Sequence, residues 1–147
     1  MITEVTPSPP RKPGLKAVLC VGEGERSPLN ERAEEVIGGQ LKSALGNLNG
    51  AFKQNLMIAY EPVWAIGSNL PATPEIVNSR ARFIKEFISQ LDYVESGEAT
   101  PVIYGGSVTS ENIGSYLDME NVDGVLLGES SLNIESFKRA IRVAENY

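Results

Sequence analysis

Histidine is absent from this chain, and cysteine occurs only once. Without histidine, the chain lacks the commonest metal ligand in proteins and the side chain that most often transfers protons near neutral pH. A single cysteine excludes a disulfide framework, and we expect neither a metal nor a cofactor. Because Cys20 stands among apolar residues, which raise the pKa of a thiol, we expect it to be a buried core thiol rather than a reactive one.

Basic residues and long apolar runs are also scarce. The 13 Lys and Arg residues are outnumbered by 19 Asp and Glu residues, which gives a net charge of -6, so the chain does not supply the basic patch that nucleic acids require. No apolar run approaches the roughly 20 residues of a membrane span, and the first residues lack the charged start and apolar stretch of a signal peptide. We therefore expect a cytoplasmic protein whose partners are neither nucleic acid nor membrane.

The 147 residues are enough for one domain. Four prolines among the first 13 residues exclude a helix or a central strand there, which predicts a disordered leader over residues 1–13. From residue 14 to residue 147, short apolar runs alternate with stretches in which apolar residues recur every three or four positions. The predicted strands are 16–21, 56–60, 101–104 and 124–127, and the predicted helices are 29–48, 74–91, 110–117 and 134–144. This alternation is typical of an α/β fold with a parallel sheet.

The strand predicted over residues 56–60 leads directly into Glu61 and Pro62. Its continuous apolar run indicates a strand that is covered on both faces, and Pro62 ends it because proline cannot donate to the hydrogen-bond ladder. A carboxylate at the end of such a strand is held by the scaffold and still open to a ligand, which suits a general base. The alternative is that Glu61 only closes the strand as a cap for the helix that follows.

A loop of small and apolar residues follows Glu61 and is bounded by a proline at each end. Trp64 is its bulky anchor and Gly67 lies at its small tip. Rigid ends around such a loop suit a lid that moves as a unit and excludes water when it closes. Beyond the lid, Thr73 and Pro74 are typical of the N-cap and the first position of a helix.

The strand over residues 101–104 breaks into Gly105, Gly106 and Ser107. Two glycines let the backbone approach a ligand closely, and Ser107 adds a hydroxyl, so the run predicts a cradle of N–H groups for a phosphate. A glycine turn required only by backbone geometry is the alternative.

Gly128 and Glu129 follow the last predicted strand. A short helix start there would direct its free N–H groups and its positive dipole end at an anion. Because a carboxylate would repel a phosphate dianion, we expect only the backbone of Glu129 to face the ligand and its side chain to face water.

Three runs of residues resemble the triosephosphate isomerase family. They are Ala-Tyr-Glu-Pro-Val-Trp-Ala-Ile-Gly at 59–67, Cys-Val-Gly-Glu at 20–23 and Tyr-Gly-Gly-Ser-Val at 104–108. The first resembles the family's glutamate base and closing loop, and the last resembles its seventh loop. The resemblance implies an α/β fold of four βα units over residues 14–147, corresponding to strands five to eight of the family's (β/α)8 barrel, which needs roughly 250 residues when complete.

The resemblance also implies a reaction and a set of site residues. The reaction is the interconversion of dihydroxyacetone phosphate and glyceraldehyde 3-phosphate, in which Glu61 moves a proton between two carbons. The implied contacts to the substrate phosphate are Gly67, Ser107, Gly128 and Glu129. The implied lid is Pro62, Val63, Trp64, Ala65, Ile66, Gly67 and Ser68. Glu23 and Tyr104 are expected to support the lid, with Glu23 accepting from the Trp64 indole N–H when the lid is open.

The family's substrate-neutralising lysine and carbonyl-polarising histidine belong to the first half of its barrel. This sequence has no histidine and no Asn-x-Lys pattern after a first strand. The resemblance implies a small phosphorylated triose as substrate. Because these two groups are missing, we expect as partner an N-terminal half-barrel or a second copy of the chain. The alternatives are a non-catalytic phosphate-binding half-barrel or assembly module, and a fragment with no function of its own.

Overall fold

A computed structural model describes residues 15–24, 31–46, 55–67, 70–91 and 100–147. Its strands are β1 (Ala17–Val21), β2 (Leu56–Tyr60), β3 (Val102–Tyr104) and β4 (Gly124–Val125). Its α-helices are α1 (Glu31–Leu45), α2 (Pro74–Ser89), α3 (Ile113–Leu117) and α4 (Ile134–Ala144). The four strands are parallel and lie in the order β1-β2-β3-β4. The predicted α/β fold, equivalent to half of a (β/α)8 barrel, is therefore confirmed.

The helix boundaries follow local capping chemistry. Helix α2 begins at Pro74 as predicted, because the Thr73 hydroxyl accepts a hydrogen bond from the Ile76 N–H at 3.4 Å. Helix α4 has the predicted bounds, and the side chain of Asn133 caps its first turn. None of the helices in the described ranges is long and apolar enough to span a membrane.

Other elements are shorter than predicted. Helix α3 starts at Ile113, three residues after its predicted start at residue 110. The Asn112 side chain accepts a hydrogen bond from the Thr109 N–H at 2.8 Å, which forms a non-helical turn where the first helical turn was predicted. Strand β4 ends at Val125 instead of 127. Helix α1 ends at Leu45, and residues 29, 30, 47 and 48 of the predicted helix lie outside the described residues, as does the leader over 1–13.

The core lies between the sheet and its helices. Ile58 and Tyr60 of β2 are fully buried, and so are Ile37 of α1 and Ile84 of α2. These residues belong to one cluster of packed apolar side chains that also takes in β1 and β3. Burial of each such aliphatic side chain contributes about 1.5 to 3 kcal/mol relative to exposure, so this layer holds the strands in place.

The strand register aligns the carboxyl ends of the first three strands. Val21 pairs with Tyr60, and Tyr60 pairs with Tyr104. These three residues are the last of β1, β2 and β3, so the loops that follow begin side by side at one edge of the sheet. In parallel α/β sheets this edge is where ligands bind.

Candidate active site

Glu61 lies between the first loop residues of the two neighbouring strands. The Glu61 N–H donates to the Val21 carbonyl at 2.7 Å, and the Gly105 N–H donates to the Tyr60 carbonyl at 2.9 Å. These bonds extend the ladder one residue beyond the strands and place Gly22, Glu61 and Gly105 in one row. Glu61 is partly buried, as expected for a side chain at the rim of the sheet.

The glycines on both sides of Glu61 allow its close approach. A Cβ on Gly22 would overlap the Glu61 carbonyl group and lie 2.9 Å from the Pro62 nitrogen, and a Cβ on Gly105 would lie 2.8 Å from Glu61 Cγ and Oε1. The Gly22 peptide is further held by Gln40, whose Oε1 accepts from Gly22 N at 2.9 Å and whose Nε2 donates to Gly22 O at 3.1 Å. Glu61 therefore occupies a space that exists because residues 22 and 105 are both glycines and have no side chains.

Cys20 is exposed, and the prediction that it is a buried core thiol is wrong. Side chains alternate across β1, and Val18 and Cys20 both fall on its exposed positions, opposite those that pack against the helices. The Cys20 Sγ lies 3.5 Å from Glu61 Oε1. Desolvation, followed by the charge of Glu61 and this hydrogen bond, raises the pKa of the Cys20 thiol.

The predicted hydrogen bond between the lid and Glu23 is present. The Trp64 Nε1–H donates to Glu23 Oε1 at 2.9 Å, and the Val63 N–H donates to the Glu23 carbonyl at 3.0 Å. Residues Val63–Ala65 form one 3₁₀ turn directly after Pro62. Glu23 is only 6 % exposed, so the carboxylate anchors the first part of the lid from inside the protein.

Glu23 has a second, buried donor in Tyr60. The Tyr60 hydroxyl lies 3.1 and 3.3 Å from the two carboxylate oxygens. Burial and then the nearby negative charge of Glu23 raise the pKa of Tyr60 well above its usual range, which keeps the hydroxyl protonated as a donor. Two donors thus satisfy a carboxylate that would be costly to bury alone.

Two tyrosines bind the backbone of Ala72, which lies between the lid and α2. The Ala72 N–H donates to the Tyr104 hydroxyl at 3.2 Å, and the Tyr116 hydroxyl donates to the Ala72 carbonyl at 2.8 Å. Their rings pack with centroids 4.6 Å apart. Burial raises the pKa of both hydroxyls. Tyr104 thus contacts the segment between the lid and α2, and its support of the lid itself stays a prediction.

The predicted phosphate contacts lie on neighbouring loops. The Ser130 hydroxyl donates to the Val108 carbonyl at 2.5 Å, which ties the loop after β4 to the loop that contains Ser107. Gly128 precedes a 3₁₀ turn, Glu129–Ser131, in place of an α-helical start, and the Glu129 side chain is exposed. Both loops thus reach the same end of the sheet as Glu61.

The tip of the lid is only partly described. Gly67 is exposed and has φ of +61°, a left-handed conformation that favours glycine. Ser68, which belongs to the predicted lid, lies outside the described residues. Across the ranges that the structure describes, no group of three or more His, Cys, Asp or Glu side chains could hold a metal ion.

Several contacts of the site escaped sequence reasoning. Gly22 and Gly105 lie beside Glu61 because of the strand register, which the sequence does not give. The glycine directly after each flanking strand was the one signal in the sequence that pointed to this arrangement. The hydrogen bonds of Gln40 to Gly22 and of Tyr116 to Ala72 join residues 18 and 44 positions apart. No local pattern indicates such pairs.

Comparison with known families agrees with this geometry. The sequence model described as triosephosphate isomerase matches residues 9–144 of the 147. The match covers the eight strands and helices of the described residues and every residue of the candidate site. The matched region begins at residue 9, five residues before residue 14, the predicted start of the fold.

Proposed function

The chain belongs to the triosephosphate isomerase family, and from that premise we propose that it supplies the catalytic base, the lid and the phosphate loops of a triosephosphate isomerase. The substrates are dihydroxyacetone phosphate and glyceraldehyde 3-phosphate. The activity requires an N-terminal half-barrel that is not among these 147 residues. We further propose a cytoplasmic location and a role in glycolysis and gluconeogenesis.

The observation that carries this proposal is the placement of Glu61. It stands at the carboxyl end of β2, between the ends of β1 and β3, where its backbone N–H donates to Val21 and the carbonyl of the preceding Tyr60 accepts from Gly105. The lid begins at the next residue and is anchored through Trp64 to the buried Glu23. A base that is fixed on the scaffold and adjoins a loop able to cover it suits proton abstraction from a carbon next to a carbonyl.

In the proposed reaction, Glu61 acts first as a base and then as an acid. The carboxylate removes a proton from the hydroxyl-bearing carbon beside the carbonyl of dihydroxyacetone phosphate, which leaves an enediolate. The hydroxyl proton of that carbon passes to the former carbonyl oxygen by way of a group from the partner half, and the protonated Glu61 returns a proton to the adjacent carbon, so that the first carbon becomes the aldehyde. The substrate phosphate would be held by N–H groups of the loops at Ser107 and Gly128, with the Ser107 hydroxyl as an added donor. Binding a group that does not react fixes the reacting carbons against Glu61.

The groups that would polarise the carbonyl and neutralise the substrate must come from outside the described site. The sequence has no histidine, and the lysine ion pairs within the described residues join Lys85 to Asp123 and Lys138 to Glu135, not to Glu61. Pre-organised charge and hydrogen-bond donors of this kind are worth several kcal/mol of barrier, or orders of magnitude in rate. The chain alone is therefore expected to be inactive.

Exposed apolar surface supports the need for a partner half. On α4, the side chains of Ile134, Phe137 and Ile141 are 67 %, 40 % and 43 % exposed although they share one helical face. In the described part of the chain the sheet ends at β1 and at β4. An N-terminal half-barrel that adds strands at both ends and covers α4 would bury these surfaces.

A complementation assay tests the proposal. The 147-residue chain is purified, mixed with the first four βα units of a triosephosphate isomerase family member, and assayed for conversion of glyceraldehyde 3-phosphate to dihydroxyacetone phosphate. Turnover is expected from the mixture and from neither half alone, and it should disappear with the matched variant Glu61→Gln. Turnover by the chain alone, or an equally active Glu61→Gln mixture, would contradict the proposal.

The second candidate is a non-catalytic phosphate-binding half-barrel that assembles with another copy of itself. The apolar face of α4 and the two sheet ends favour it as much as they favour a separate partner. An inactive mixture, together with a dimer in analytical ultracentrifugation and binding of inorganic phosphate by the chain alone, would support this candidate instead.

A further inference from the structure

The side chain of Glu61 occupies the space in which a residue other than glycine at position 105 would place its Cβ. Such a Cβ would lie 2.8 Å from Glu61 Cγ, 2.8 Å from Oε1 and 3.2 Å from Cδ. Contacts this short are incompatible with carbon and oxygen radii, so a methyl group at 105 and the present position of the carboxylate exclude each other.

A left-handed backbone does not explain glycine at this position. Of the described glycines only Gly67 has a positive φ, so the φ of Gly105 lies outside the region that favours glycine. The alternative from the sequence, a glycine required only for turn geometry, therefore finds no support in the φ of residue 105. The neighbouring Gly106 differs, because a Cβ there would overlap the hydroxyl and ring of Tyr104 and not the candidate base.

The Glu61 backbone has little freedom to move away from an added methyl group. Its N–H is bound to the Val21 carbonyl at 2.7 Å, and its own carbonyl faces Gly22 so closely that a Cβ on Gly22 would overlap it. Gly105 is likewise bound to the Tyr60 carbonyl at 2.9 Å. The side-chain torsions of Glu61 would thus absorb the displacement.

We propose that Gly105 is a positioning residue for Glu61: the absence of a side chain at 105 sets where the Glu61 carboxylate rests. This assignment depends on the proposed function in one respect, which is that the proposed function makes Glu61 the catalytic base. The geometric claim itself is independent of turnover and is tested on the isolated chain.

Cys20 provides the readout for the test. Its Sγ is 3.5 Å from Glu61 Oε1, the same oxygen that a methyl group at 105 would meet. A displaced Oε1 changes its distance from Sγ. The charge and the hydrogen bond of Glu61, both of which raise the pKa of the thiol at present, then act on it with a different strength.

The experiment measures the rate at which iodoacetamide alkylates Cys20 in the full 147-residue chain at pH 7.5. In Gly105→Ala, the changed influence of Glu61 on the thiol should alter the thiolate fraction, and with it the alkylation rate, about threefold. The matched control is Gly24→Ala, because a Cβ at Gly24 would meet nothing within 4 Å, and its rate should equal that of the parent. An unchanged rate in Gly105→Ala, or the same change in Gly24→Ala, would overturn the assignment.

A double variant separates positioning from a general structural effect. Glu61→Ala removes the Cγ, Cδ and Oε1 atoms that a methyl group at 105 would meet, so adding Gly105→Ala in that background should leave the alkylation rate unchanged. If Gly105→Ala fails to fold by circular dichroism, the double variant should recover folding, and a double variant that also fails to fold would count against the assignment.

The complementation assay distinguishes this inference from the proposed function. If the mixed halves are active, Gly105→Ala should lower kcat about tenfold or more with little change in KM, because a misplaced base affects the reacting carbon and not the phosphate. If the mixture is inactive, the proposed function fails while the alkylation result still decides the role of Gly105.

Discussion

The indole N–H of Trp64 donates to the Glu23 carboxylate across 2.9 Å. This bond joins the first turn of the lid to the loop after β1. Glu23 also accepts from the Tyr60 hydroxyl at 3.1 Å, so the same carboxylate secures both the lid and the end of the strand that carries Glu61.

We expect Glu23→Leu to lower the free energy of unfolding by about 2 kcal/mol, because Trp64 and Tyr60 would each lose this acceptor in a buried site. Since Trp64 is the only tryptophan, its fluorescence should shift to longer wavelength as the indole reaches water. The control is Glu35→Leu on the exposed surface of α1, which should change neither the free energy of unfolding nor the fluorescence of Trp64. Equal effects of the two substitutions in urea unfolding would argue against the role assigned to Glu23.

Stability should fall in alkaline solution, with Tyr60 as one cause. Its pKa in the folded protein is raised, by burial first and by Glu23 second, whereas in the unfolded chain it ionises near pH 10. The folded state therefore keeps a proton that the unfolded state releases, so the contribution of Tyr60 is full below about pH 10 and is lost progressively above it.

Replacement of Tyr60 by phenylalanine should flatten that decline. Urea unfolding at pH 9.5, 10.5 and 11.5 should show the parent losing up to about 1.4 kcal/mol more per pH unit than Tyr60→Phe. Parallel declines in the two proteins would mean that Tyr60 ionises as readily in the folded state as in the unfolded one.

Gly22→Ala should destabilise the fold. Its methyl group would overlap the Glu61 carbonyl group, and because both partners are backbone, the loop and the end of β2 must separate at a cost of about 1 to 3 kcal/mol. Gly24→Ala, two residues along the same loop, is the control and should be neutral. Thermal unfolding of both variants measures the difference, and a Gly22→Ala protein as stable as its control would show that the loop yields freely.

Glu61→Asp in the complemented enzyme should lower kcat far more than it changes KM. The aspartate keeps the charge but withdraws the carboxylate by about 1 Å, and a displacement of that size can cost roughly a hundredfold when proton transfer needs near-contact geometry. Steady-state kinetics check this. If Glu61→Asp stays within a factor of two of the parent while Glu23→Asp is inactive, then Glu23 is the base.

Ser107→Ala should show the complementary pattern, a higher KM with a smaller change in kcat. It removes a hydroxyl donor to a phosphate that takes no part in the chemistry. The matched control is Ser115→Ala on α3, whose hydroxyl donates to the Asn112 carbonyl at 2.7 Å and which should leave KM unchanged. A fall in kcat alone would place Ser107 beside the reacting carbons.

Much of the fold was predictable because its determinants are local. The apolar run of β2 and the three- and four-residue spacing in α4 predicted those elements with the bounds observed. The Thr73 and Pro74 pair predicted the start of α2 for the same reason, since capping involves residues only three positions apart. The shorter α3 and the exposure of Cys20 were not predictable in this way. They depend on a competing side-chain turn at Asn112 and on which face of β1 the helices cover.

The sequence by itself determined the α/β class, the position of Glu61 at the end of a strand and the glycines of the loops, since all three are properties of neighbouring residues. Only the tertiary structure decided what surrounds Glu61. The parallel register of three strands places Gly22 and Gly105 on either side of it and brings the Cys20 thiol to 3.5 Å from its carboxylate. Residues up to 44 positions away lie within contact distance of it, and chain order does not encode such distances. They arise when helices and strands pack together to bury their apolar faces.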